Sequence, residues 1–152
     1  MSDAIGIYPS LIVFEMYDER LRQRNRAYWG VIGDRKSITI FADKVGMVRG
    51  LKTVLECRYT IRAGKEGGIQ VQLAYDAPAE RDLVTIEKSY HLDSAHVRKV
   101  ERFVEVLFSM AKAMDERAFR YVLREFDRFI KSGGLIKVDF QKLYQEATGG
   151  YR

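Results

Sequence analysis

One cysteine, Cys57, stands in the whole chain, so no internal disulfide can form and a reduced, cytoplasmic setting is expected. The opening MSDAIGIYPS lacks the basic start and apolar run of a secretory signal. No apolar stretch approaches the length of a membrane span. The chain has no Walker-type loop, no GxGxxG after a strand and no GxSxG, and GKEGG (64–68) lacks the spacing of a phosphate loop. Internal repeats and low-complexity tracts are also missing. Only two prolines occur beside many Arg and Glu residues, a composition that leans thermophilic.

What is present suits one folded domain over residues 1–152. Apolar residues make up 47% and aromatic residues 12%, enough for a core. The net charge of +5 favours phosphate-rich partners. The reading is an α+β domain: an antiparallel sheet with an inserted helix, sheet-rich over 10–92, then helical over 93–147, with a mobile tail at 148–152. Strands are expected at 11–17, 27–32, 37–41, 58–64, 69–75 and 83–92. IQVQLAY (69–75) alternates cleanly, with Gln70 and Gln72 opposite Ile69, Val71 and Leu73. Val45, Val48, Leu51 and Leu55 share helical spacing, which predicts a helix over 44–56 behind an Asp43 cap. Helices are also expected over 95–113 and 116–131, the second ended by Gly133–Gly134. LIKVDFQKLYQEA (135–147) reads as a short strand or helix.

YDERLRQRNRAYW (17–29) is the densest binding signal. Arg20, Arg22, Arg24 and Arg26 fall at every second position, with Tyr17, Tyr28 and Trp29 bracketing them. An extended backbone would line the four guanidinium groups along one face, with Tyr28 behind them. Arg58, Thr60 and Arg62 form a second polar row, continued by Lys65. Gln70 and Gln72 would join it if 58–63 and 69–75 pair as a hairpin. Cationic rows beside rings suit an unpaired polynucleotide, whose phosphates need charge and whose bases stack. The longer helices alternate charge sign, as a salt-bridged exterior does, and Phe103, Phe119, Phe126 and Phe129 read as core or as a seam between copies.

Catalytic patterns are weaker. His91, Asp93 and His96 in YHLDSAH could bind a metal, but they span a strand-to-helix junction where Asp93 or Ser94 serves as a cap. Asp34–Arg35–Lys36 and Glu87–Lys88 echo nuclease carboxylate–lysine pairs without a second carboxylate at a fitting spacing. No catalytic residue, metal or cofactor is therefore assigned, and the chain is read as a non-enzyme.

IVFEMYDERLRQRNRAYWGVIGDRKSITIF, followed by SAHVRKVERFVEVLFSMAKAMDERAFRYVLREFDRFI, resembles the organisation of the ThermoDBP family. These are single-stranded DNA-binding proteins of hyperthermophilic archaea. The resemblance implies a sheet flanked by helices, homo-oligomers formed through the helical part, and DNA held in a basic, aromatic-lined cleft without sequence preference. An RNA-binding module and a metal-dependent nuclease are the alternatives.

Overall fold

A computed structural model describes residues 26–33, 36–45, 53–113 and 116–149. Five described strands run in simple sequence order through one antiparallel sheet. They are β1 (Arg26–Gly33), β2 (Ser37–Val45), β3 (Thr53–Ala63), β4 (Ile69–Ala79) and β5 (Asp82–Leu92). Three α-helices follow among the described residues: α1 (Val97–Ala113), α2 (Glu116–Lys131) and α3 (Phe140–Thr148). The result is an α+β fold with a helical C-terminal part. No helix among the described residues is long and apolar enough to cross a membrane.

Alternation along the strands decides which face meets the helices. In β4, Ile69, Val71 and Leu73 are buried while Gln70 and Gln72 are half-buried. The same parity in the paired strands sends Trp29, Val31, Ile38, Ile40, Tyr59 and Ile61 into the core. The helices supply the other half. Val100, Phe103, Val104, Leu107 and Met110 of α1 are at most 0% exposed, as are Phe119, Val122, Phe126, Phe129 and Ile130 of α2. Both stripes follow i, i+3, i+4 spacing. Edge-to-face contacts tie sheet to helix and helix to helix: Tyr59 meets Phe126 at 5.1 Å between ring centroids, and Phe103 meets Phe126 at 5.3 Å.

Local chemistry sets the helix ends. Asp93 accepts from the Ala95 backbone N–H at 3.0 Å, capping the 3-10 turn Ser94–His96 that leads into α1. Asp139 accepts from the Lys142 N–H at 3.0 Å and caps α3. α2 ends in the expected glycine pair. The Gly134 N–H donates to Phe129 O and the Gly133 N–H to Ile130 O, both at 3.0 Å, which is a Schellman terminator. Gly134 has φ +87°, and a Cβ there would lie 2.8 Å from His96 Cγ; Gly133 has φ +70° and open space around it. Gly133→Ala should therefore cost only the left-handed backbone strain, about 1 kcal/mol. Gly134→Ala should cost about 2 kcal/mol or more, because the His96 ring must also move. Urea denaturation of the two variants checks this order.

The helix expected over 44–56 is corrected. Lys44 and Val45 end β2, and Thr53–Glu56 open β3, through the pairs Asp43↔Leu55, Lys44↔Val54 and Val45↔Thr53. Residues 46–52 lie outside the described residues. β-Branched Thr53 and Val54 fit a paired strand, and long-range pairing outweighs a helical period that the apolar positions also satisfy. The 135–147 segment resolves into an irregular link followed by α3. The strand expected at 11–17 lies outside the described residues.

Candidate nucleic-acid interface

The sheet face opposite α1–α3 carries a polar band, and the strand register builds it. One row across the strands reads Gly30, Phe41, Arg58, Ala74, Glu87. The next reads Ile32, Thr39, Thr60, Gln72, Ser89, and the third Ser37, Arg62, Gln70, His91. The hairpin of β3 and β4 thus sets Thr60 beside Gln72 and Arg62 beside Gln70, the juxtaposition that the sequence spacing called for. Arg58, Arg62, Ser89 and His91 are exposed, while Thr60, Gln70 and Gln72 are half-buried. Arg58 and Arg62 stand about 13 Å apart along the strand, four residues at the extended rise.

Charge on this face is graded. At one end lie Arg62, His91 two strands away across Gln70, and the turn that carries Lys65. At the other, Asp43 and Asp76 are acidic. Asp76 has a structural role: it accepts from the Leu55 N–H and the Thr85 hydroxyl, each at 2.8 Å. Burial raises the Asp43 carboxyl above its ordinary value, and nearby Arg58 offsets this only in part. Glu87 of the edge strand β5 accepts from the Gln72 amide at 3.2 Å, so a carboxylate stands beside the arginine-bearing strand pair.

Each sequence-predicted residue can now be located. Tyr17, Arg20, Arg22 and Arg24 lie outside the described residues. Arg26 opens β1 opposite Val45. Tyr28 is half-buried on the polar face, in the strand position next to Trp29. Arg58 and Arg62 are exposed on that face, and Lys65 is exposed in the 3-10 turn Lys65–Gly67 joining β3 to β4.

Trp29 is a correction. It is 0% exposed and packs against Phe119 of α2, with centroids 6.3 Å apart. Period-two alternation forces this: when Tyr28 faces outward, its neighbour faces the core. A base cannot stack on a ring that has no open face.

The weaker catalytic patterns also resolve. Glu87 sits in the polar band, whereas Lys88, one residue on, belongs to the helix side, its Nζ 6.0 Å from the Tyr75 ring centroid. The two do not converge. Asp93 is occupied as a cap, with His96 Nε2 3.7 Å from its carboxylate, while His91 lies in the third row of the band. Among the described residues no group of three or more His, Cys, Asp or Glu is placed to hold a metal ion.

Sequence reasoning missed a polar cluster on the helix side. Arg120 of α2 donates to Glu116 at 2.9 Å and to Glu56 of β3, which also pairs with Lys44 at 3.0 Å. Tyr59 donates its hydroxyl to Asp127, and Asp127 pairs with Lys131 at 3.0 Å. Burial would raise the Glu56 carboxyl, but Arg120 and Lys44 outweigh it and hold it below the usual range. The signal was available: Arg120, Arg124 and Arg128 recur every fourth residue and so share one stripe of α2. Comparisons with protein-family models, with curated proteins and with solved structures found no match.

Proposed function

We propose that this chain binds single-stranded DNA without sequence preference, across the polar sheet face. One observation carries the reading: the β3–β4 register sets Thr60 beside Gln72 and Arg62 beside Gln70, with Arg58 two residues along the same face of β3, on the side away from the helices. Guanidinium groups in such a band neutralise phosphates. The glutamine amides and hydroxyls offer donors and acceptors to base edges, and Tyr28 supplies a ring on the same face. Arg26 opens β1 directly after the arginine-rich segment in sequence. A sheet followed by a helical half is also the organisation that the ThermoDBP resemblance implies. Self-association through the helical part belongs to the same reading; Leu135 and Tyr144 are exposed there.

Binding of a labelled oligonucleotide, followed by anisotropy across a salt series, tests it. Each phosphate neutralised on a single strand contributes about −0.7 to the log–log slope, so Arg58→Ala/Arg62→Ala should flatten it by about 1.4. An unchanged slope in a folded double variant would remove the sheet face from the interface. Competition with RNA of the same sequence separates DNA preference from a general single-strand site.

A further inference from the structure

We infer that the cleft between α2 and the parting of β3 from β4 is a site for a small phosphate monoester carried on a flat ring, such as a nucleoside monophosphate. This site lies on the helix side of the sheet and is independent of the reading above.

The cleft follows from the strand register. The β3–β4 ladder runs from Ala63↔Ile69 to Arg58↔Ala74. Beyond that point β3 continues with β2, and β4 continues with β5 as far as Ala79↔Asp82. A bulge on β3 steps from Cys57 to Leu55 where β2 steps from Ala42 to Asp43, which turns Glu56 towards Arg120. The space left under α2 measures about 630 Å³, the size of a small-molecule site.

Its walls differ in chemistry. Cys57, Leu73, Tyr75 and Leu123 give an apolar and aromatic side. The α2 stripe of Arg120, Arg124 and Arg128, with Lys131 below it, gives a cationic side. Most carboxylates here are engaged: Glu56 by Lys44 and Arg120, Asp127 by Tyr59 and Lys131. The guanidinium groups are not saturated. Arg124 has no acidic partner among the described residues and lies 5.9 Å from the Tyr121 ring centroid. Arg128 spends only Nη1 on Glu125, at 3.0 and 3.3 Å. Arg120 Nη2 is buried without an acceptor among the described residues.

Forked donors with spare capacity match a phosphate, and a half-buried tyrosine beside two leucines matches a planar ring. The site is built to bind, not to react. Burial first, and then Glu56, push the Cys57 thiol up to about 12, so no thiolate nucleophile is available near neutral pH. Burial and the bond to Asp127 likewise keep the Tyr59 hydroxyl protonated.

Isothermal titration of the full chain with AMP tests the inference, with inorganic phosphate and adenosine as half-ligand probes. AMP should bind about tenfold or more tightly than either half, since each supplies only one wall's partner. Arg124→Ala/Arg128→Ala, both exposed positions, should weaken AMP about tenfold or more while leaving the melting temperature within a few degrees. Tyr75→Leu should weaken AMP but not phosphate. AMP held no more tightly than phosphate or adenosine would overturn the inference, as would equal AMP affinity in the arginine double variant. A 5′-phosphorylated oligonucleotide displaced by AMP would identify a strand end as the source; one indifferent to AMP, with AMP still bound, would identify the free nucleotide. Arg58→Ala/Arg62→Ala should keep its AMP affinity, so the two sites fail separately.

Discussion

Trp29→Ala is expected to lower the unfolding free energy by about 3–5 kcal/mol, the range for emptying a buried aromatic site. The indole is fully enclosed, pairs in register with Ala42 and rests on Phe119. Ala42 is too small to fill the void, and neighbouring Val31 and Ile40 sit in a ladder that cannot collapse inward without breaking its pairing. Trp29→Phe should be far milder. The indole Nε1 is buried without an acceptor among the described residues, so removing it offsets part of the lost volume. Urea denaturation followed by far-ultraviolet circular dichroism separates these outcomes. Oligonucleotide affinity of the folded Trp29→Phe protein should match wild type. A stable Trp29→Ala protein with weakened DNA binding would instead restore the ring to a stacking role.

Arg120→Met is the second large effect. One guanidinium serves Glu116 and Glu56, and its side chain is only 20% exposed, with Glu56 at 32%. Removing one partner of a fully buried pair costs about 3–5 kcal/mol; the residual exposure here lowers the expectation to about 2–3 kcal/mol at neutral pH. The pH dependence has a definite sign. Glu56 titrates lower in the folded chain than in the unfolded one, so its contribution is present above the unfolded carboxylate pKa, about 4.3, and is lost as pH falls through the folded value. The gap between wild type and Arg120→Met should therefore narrow as the pH is taken from about 6 down to about 3. A gap constant across that range would mean that Arg120 acts through packing alone.

Much of this architecture is legible in the residues. Period two in 69–75, helical stripes in 97–131 and the glycine pair at 133–134 are local signals, and each became the element that its spacing predicts. The polar band was legible too, because Arg58–Thr60–Arg62 and Gln70–Gln72 need only a hairpin to meet. The segment 44–56 was not, since its apolar positions satisfy both periods and only pairing between distant residues decides. Trp29 misled through company: an indole beside arginines looks like a platform, yet the parity of AYWGVI groups it with Val31 on the buried side. The arginine stripe of α2 looked like plain exterior because nothing local announces that two strands part beneath it. The arginines at 20, 22 and 24, the densest cationic pattern in the sequence, lie outside the described residues.

The sheet's serial order has a kinetic side. Each described strand lies next to its predecessor, and the described connections from β3 to β4 and from β4 to β5 are short. Loop closure is entropically mild for such neighbours, so hairpins can zip up one after another before any helix docks. The slow step then falls to the aromatic layer, where Phe119 must find Trp29 and Phe126 must find Tyr59 across wide separations in sequence.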